Sequence, residues 1–293
     1  MKFELFVSFR YLKAKRKQTF ISLVTGISIA GVAVGVMALI IVLAVMNGFH
    51  EDLRNKILGV TSHIIVLPKD DVITDYEKLA KRVEEVKGVV AATPFILGQA
   101  MISRRSSVQG IVVRGIDPRS ASRVLSIQSN MREGKLVDIM PSPAGHAASG
   151  AGTEKEMPGI VIGVELSHIL GAYPGDEVVM ISPKTTSTPI GLVPKMKKFK
   201  VVGVFDCGMY EYNSSMAYIG LDSAQDFFDM GKGVSGIEVK VKDIYKVREI
   251  ANLINAKLGW KYWTRDWMQL NRSLFSALKL EKTAMFIILT LIV

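Results

Sequence analysis

The chain of 293 residues is long enough for two or three domains and a sizeable core, and its 49% hydrophobic and 22% charged residues exclude a disordered or low-complexity protein. A mean hydropathy of +0.28 is high for an ordinary soluble enzyme and points to a concentrated apolar segment. The formal net charge is +10, but residues 1–18 hold six basic residues against one acid, so half of the excess is one terminal block. That distribution argues against a nucleic-acid face spread over a fold and for membrane orientation.

In chain order, residues 1–18 read as a cytoplasmic basic segment in which Phe3, Phe6, Val7 and Tyr11 recur at helical spacing, as in a helix lying on the inner leaflet. Thr19 to Met46 carries no charge and exceeds the roughly 20 apolar residues a bilayer needs, so 19–46 is predicted to be a transmembrane helix. A cleavable signal sequence is the rival, but its apolar run is about 7–15 residues, shorter than this one. Arg10, Lys13, Lys15, Arg16 and Lys17 keep the N-terminus cytoplasmic and send everything after Gly48 to the far side. Gly26, on a ridge with Ser22 and Ala30, and the Gly31/Gly35 pair allow another helix to approach closely, although glycine is common in membrane helices in any case. Met46, Phe49, Leu53 and Ile57 continue an apolar stripe beyond the membrane, giving a helical stalk over 47–59 with Gly59 as its C-cap.

Two similar segments follow. A strand at 63–67, an amphipathic helix from Tyr76 to Val86 and a strand at 89–96 are matched by a strand at 237–241, a helix from Val247 to Leu258 capped by Gly259, and a strand at 261–264. This predicts a split α+β, ferredoxin-like domain, 60–117 and 234–266, interrupted by a β-rich insert, 118–233. Within the insert, 141–158 has the composition of a mobile loop, and 183–198 is expected to be a long loop carrying Ile190, Leu192, Val193 and Met196 with four lysines and no acid. A simple hairpin tip is the alternative for 183–198. Trp260, Trp263 and Trp267 are expected to pack where a second stalk, 267–283, meets the domain, with the two stalks antiparallel and packed together. Ala284 to Val293 is half a membrane crossing, the expected start of a second transmembrane helix over 284–293 that is truncated here.

Motifs for chemistry are absent. There is no GxxxxGK[ST], HExxH or GxSxG. His50, His63, His146 and His168 lack metal-ligand spacing, and the single Cys207 allows neither an internal disulfide nor a multi-cysteine metal site. The expectation is no catalytic, cofactor-binding or metal-ligating residue.

The opening FELFVSFRYLKAKRKQTFISLVTGISIAGVAVGVMALIIVLAVMNGFHEDLRNKILG resembles the first helix of the lipoprotein-releasing permeases, the LolC/LolE type of ABC-transporter subunit within the MacB-like superfamily. GIVIGVELSHILGAYPGDEVVMISP is similar to that family's central segment, and WMQLNRSLFSALKLEKTAMFIILTLIV to its approach to the second membrane helix. The resemblance implies a Porter-like domain for the split α+β part, a Sabre-like domain for the insert, and further membrane helices with a cytoplasmic coupling loop that are not in this sequence. It implies that Pro189, Ile190, Gly191, Leu192, Val193 and Pro194 form a hook for a periplasmic carrier chaperone, with Lys195, Lys197 and Lys198 steering the partner's acidic rim. It also implies a Gram-negative inner-membrane location, a cytoplasmic ABC ATPase dimer that uses ATP and magnesium, a second permease subunit (self or sister), and a lipoprotein substrate.

Withdrawing about 40 CH₂ groups of lipid anchor through water would cost roughly 30 kcal/mol, so a shielded route is expected. The stripe of Val42, Met46, Phe49 and Leu53 is its expected acyl-chain contact. A MacB-like efflux subunit, an FtsX-like division regulator and a bitopic sensor or adhesion protein are the rival readings.

Overall fold

The computed structural model describes residues 3–13, 19–69, 72–140, 157–188 and 191–292. Two compact units result, Met1–Leu53 with Arg272–Val293, and Arg54–Asn271.

The first unit is helical. Helix α1 (Phe3–Lys13) precedes α2 (Thr19–Val60), whose 42 residues include the candidate span Leu23–Gly59, in which an 18-residue stretch of mean hydropathy 2.9 has no buried residue. At 1.5 Å per residue α2 is about 63 Å long, twice a hydrocarbon core, so it combines the expected crossing and stalk. Gly59 is not its cap. The helix continues to Val60, and Thr61 closes it by donating its backbone N–H and its hydroxyl to the Ile57 carbonyl at 2.9 and 2.8 Å. A side chain that satisfies the terminal carbonyl removes the need for a left-handed glycine.

The second stalk is not one helix. The helix is interrupted at Asn271, between α9 (Trp267–Leu270) and α10 (Arg272–Ile292). Leu280, Phe286 and Leu291 stay exposed, apolar surface that suits lipid or further helices.

The second unit begins with the last turns of α2. Strand β1 (Ile64–Pro68), helix α3 (Tyr76–Glu84) and strand β2 (Val89–Arg104) form one half of its first sheet in sequence. Far along the chain, β9 (Gly236–Val241), α8 (Val247–Leu258) and β10 (Tyr262–Asp266) form the other half. These strands lie in the order β10-β1-β9-β2, all antiparallel, which is the split ferredoxin-like arrangement expected. Leu79 and Val83 of α3, and Val247, Ile250, Ala251, Ile254 and Leu258 of α8, are buried, as their periodic spacing requires.

Between the halves lie β3 (Ser107–Ile116), α4 (Pro118–Val124), β4 (Met131–Gly134), β5 (Gly159–Gly163), α5 (Val164–Leu170), β6 (Glu177–Thr188), β7 (Gly191–Phe205), α6 (Tyr210–Ser215), β8 (Met216–Gly220) and α7 (Leu221–Phe227). Pairings run β2-β3-β8-β5-β7-β6 and return to β2, so six strands close a ring, with β4 attached to β7. A barrel this narrow is filled by side chains, here including Ile102, Val113, Ile162, Met180, Phe199 and Val201, all without accessible surface. Helix α7 packs on β2 and β3 because Gly98 and Gly115 leave room for Phe228 and Ala224.

The boundary at residue 117 therefore cuts through the barrel. Val89–Phe95 of β2 pairs with β9, whereas Met101–Ser103 pairs with β6, so one 16-residue strand belongs to both parts. The sheet fuses the two domains instead of linking them. Residues 141–156, most of the expected mobile loop, lie outside the described residues.

Candidate functional site

The segment 183–198 is mostly strand. β6 and β7 pair from Glu177↔Lys200 to Ile181↔Met196, pass an irregularity, and resume from Thr185↔Pro194 to Thr188↔Gly191. Only Pro189 and Ile190 separate the strands, and those two lie outside the described residues. The prolines suggested a loop, but Pro194 sits where β7 has β6 as its sole partner, so its missing N–H breaks no sheet ladder. The threonines at 185, 186 and 188 are β-branched and suit a ribbon. Of the expected hook residues, Gly191, Leu192, Val193 and Pro194 open β7, with Val193 and Pro194 exposed and Met196 exposed further down.

The lysines of this ribbon do not project as free positive charge. Lys195 Nζ donates to the Asp226 carbonyl at 2.5 Å and to Asp229 Oδ1 at 2.6 Å, and Lys197 Nζ donates to Asp226 Oδ2 at 2.5 Å. Lys198 stands 3.5 Å from Glu177 on the exposed side. The expected steering of an acidic rim by Lys195 and Lys197 is thus replaced by ion pairing within the fold.

A second constellation gathers where α2 enters the sheet. Ile57 is buried, and Arg54 Nη1 donates to the Tyr245 hydroxyl at 3.2 Å with its guanidinium 5.7 Å from that ring. Ser62 Oγ donates to Glu238 Oε1 at 3.2 Å, and the same oxygen accepts from Arg114 Nη2. Arg114 reaches across β2, over the Phe95 ring at 5.8 Å, to meet Glu238 on β9. Both ends of the pair are buried, and the Tyr218 hydroxyl lies beside Arg114.

His63 ties further threads. Its N–H donates to the Val239 carbonyl at 3.1 Å, its Nδ1 accepts from Val241 N–H at 3.2 Å, and its carbonyl accepts from Trp267 N–H at 3.1 Å. Burial, the largest influence, holds the His63 pKa below the ordinary imidazole value, and the Lys240 charge adds to that shift. Asp266 is buried and caps α9 by accepting from Gln269 N–H at 2.7 Å. Sequence reasoning missed this junction, since its members are separated by more than a hundred residues. The one available signal was charge placed inside β-branched strands, Arg114 in GIVVRGI and Glu238 in GIEVKV.

Of the three tryptophans, Trp267 is buried and Trp263 donates Nε1–H to the Pro68 carbonyl at 3.1 Å. Trp260 departs from the expected packing. It is 75% exposed at the turn before β10, 5.9 Å from the Lys69 ammonium, because a residue beyond the α8 cap has no facing layer.

In the helical unit, Val42, Met46 and Leu53 are half-buried on one face of α2, and Phe49 is exposed. A Cβ at Gly26 or Gly31 would meet nothing within 4 Å, and Gly35 is half-buried; no helix of this chain fills the small-residue face among the described residues. A cleft of about 410 Å³ lies among α3, α4 and the start of α7, with Ala80, Pro94, Pro118 and Leu221 lining it and Glu77 and Asp222 at its wall. Among the described residues no three His, Cys, Asp or Glu side chains gather as metal ligands. Cys207 donates its thiol to Asn213 Oδ1 at 3.1 Å, and burial pushes its pKa up, which makes it a poor nucleophile. The arrangement offers surfaces, a junction and a ribbon for binding and movement.

A long apolar helix that leads into a split α+β sheet fused to a barrel is the arrangement of a membrane-anchored domain, and residues 25–257 match the family model of the MacB-like periplasmic core domain. The chain is 37% identical over 99% of its length to the lipoprotein-releasing system transmembrane protein LolC of Neisseria meningitidis, covering 67% of that relative. It is 31% identical to LolC of Xylella fastidiosa, over 98% of this chain and 66% of the relative. It is also 23% identical to the lipoprotein-releasing system transmembrane protein LolE of Haemophilus influenzae, over 98% of this chain and 67% of that one. The chain belongs to the LolC/LolE family of lipoprotein-releasing system transmembrane proteins, and it spans about two thirds of the length of these relatives.

Proposed function

We propose that this chain is the permease subunit of an ABC transporter that extracts lipoproteins from the inner membrane of a Gram-negative cell and passes them to a periplasmic carrier chaperone. The subunit is non-catalytic and holds no cofactor; a separate cytoplasmic ATPase dimer consumes ATP and magnesium. Its N-terminus is cytoplasmic, Arg54–Asn271 is periplasmic, and a second permease subunit, identical or a sister, completes the membrane pathway. Val42, Met46, Phe49 and Leu53 contact acyl chains, residues 189–194 recruit the carrier, and Gly26, Gly31 and Gly35 receive a neighbouring helix.

The observation that carries this reading is the near full-length likeness to LolC, which includes the membrane helix as well as the domain beyond it. The physical argument agrees. An apolar helix with a facing stripe that outlasts the bilayer gives a lipid anchor somewhere to slide.

The test is reconstitution of the full-length protein with its ATPase in proteoliposomes loaded with a labelled lipoprotein. ATP together with soluble carrier should release the label, and either alone should not. Extrusion of a small amphiphile with no lipoprotein movement would favour the efflux reading, and activation of a cell-wall hydrolase would favour the division reading. Either result, with lipoprotein left in the membrane, would sink the proposal.

A further inference from the structure

The β6–β7 ribbon leaves the barrel without support from the sheet. Pairing of β6 with β2 ends at Ile181, and pairing of β7 with β5 begins only at Lys200. Beyond the irregularity between Ile181 and Thr185 the two strands have each other alone. Two-stranded ribbons are marginal in water, and an irregularity at the base is a hinge. Something else must fix the direction in which the ribbon points.

Side chains alternate along β7, so Lys195 and Lys197 share one face while Met196 and Lys198 share the other. The two lysines reach the end of α7, with side chains 29% and 26% exposed, and hold Asp226 and Asp229 at 2.5–2.6 Å. Their anchor is firmly seated. Phe227 is fully buried with its ring 6.5 Å from Phe199, Phe228 fills the space above Gly98, and Asp229 has φ 56°, an uncommon backbone conformation for a residue with a side chain.

We propose that Lys195, opposite the irregularity, and Lys197, just on its barrel side, clamped on Asp226 and Asp229, are positioning residues that fix the base of the free β6–β7 ribbon and so its direction and its readiness to dock a partner. The inference rests on the reading of that ribbon as the hook for a soluble lipoprotein carrier. An ion-pair network at a half-exposed site is modest, but it acts on a marginal equilibrium. Apparent affinity scales with the fraction of molecules in the docking direction, so loss of the network weakens binding by the factor by which that fraction falls.

The alternative is that the lysines attract an acidic partner directly, and the two ideas predict opposite signs. If the lysines bind the partner, removing their internal carboxylates frees them and tightens binding. If they clamp the ribbon, the same change weakens binding.

The experiment titrates the full-length permease, complexed with its ATPase in nanodiscs, with acyl-free soluble carrier from the same organism. Asp226→Asn with Asp229→Asn should raise Kd three- to tenfold, and Lys195→Met with Lys197→Met should do the same. Hydrogen exchange of the free complex gives a reading that needs no carrier. Amides of 185–188 and 191–193 should exchange faster in both variants, with those of Ile160–Ile162 and Phe199–Val201 unchanged. Equal or tighter binding by the Asp variant would overturn the clamp, as would unaltered ribbon exchange. Faster exchange spread over the barrel would show a general structural role, and also overturns it. If the wild type does not bind carrier at all, the hook reading fails, while the exchange measurement still decides the clamp.

Discussion

His63 shows how one side chain can make the fold depend on pH. Its Nδ1 accepts a bond from Val241 N–H only while unprotonated, and burial lowers its pKa from 6.5. The unfolded chain therefore takes up a proton before the folded one does. Stability from this group is complete above about 6.5 and falls as pH drops toward the lowered folded value, so the melting temperature should decline across that window. His63→Gln should flatten the decline while lowering stability at neutral pH, as thermal unfolding between pH 8 and 5 would reveal.

The Arg114–Glu238 pair obeys a different balance, because each partner removed alone leaves a charge stranded in the core. Glu238→Leu should cost about 3–5 kcal/mol, whereas Arg114→Met combined with Glu238→Leu should recover most of it. Chemical denaturation of the two variants measures both. A double variant no more stable than the single would mean that the bonds to Ser62, and not the pair, hold the site. Neither role could be read from sequence, because a register between strands separated by more than a hundred residues leaves no local pattern.

At the scale of elements, periodicity was the reliable guide. The apolar face of α8 and the charge-free run of α2 were legible because burial on one side, or lipid on all sides, imposes a repeat that a short window can show. The ribbon was read as a loop because prolines and lysines obscure alternation when neither face is covered. The short helices α4 to α7 escaped because each has six or seven residues, less than two turns and too few for a face to repeat.

Helix α2 carries two expectations of its own. Phe49 is 51% exposed, so Phe49→Asp disturbs little packing within the chain yet places charge in the proposed acyl path. Lipoprotein release in the reconstituted complex should fall at least tenfold with ATP hydrolysis retained, and undiminished release would remove Phe49 from the path. Gly31→Leu with Gly35→Leu should reduce co-purification of the second permease subunit, since a side chain then occupies space the neighbouring backbone requires. Undiminished recovery of both subunits would show that this face meets lipid.

For the whole molecule, the sheet order β10-β1-β9-β2 has a consequence for how the protein is made. β1 and β2 are never neighbours. β1 waits for β9 and β10, and β2, although β3 can pair with it at once, waits for β9 along Val89–Phe95; β9 begins at Gly236, more than 130 residues after β2 ends at Arg104. During synthesis the first strands would cross the membrane with their ladder positions vacant, and β1 would have no partner on either side until the chain was nearly all across. Non-local pairing of this kind folds slowly and leaves open strand edges that invite aggregation. A chain stopped at residue 233 should therefore remain open to protease around 64–84 while still anchored in the membrane, and extension through residue 271 should confer protection. The order of strands in the sheet thus sets a schedule for folding, in which a nascent chain on the proposed export route needs a holding chaperone until the last sixth or so of Arg54–Asn271 has begun to pair.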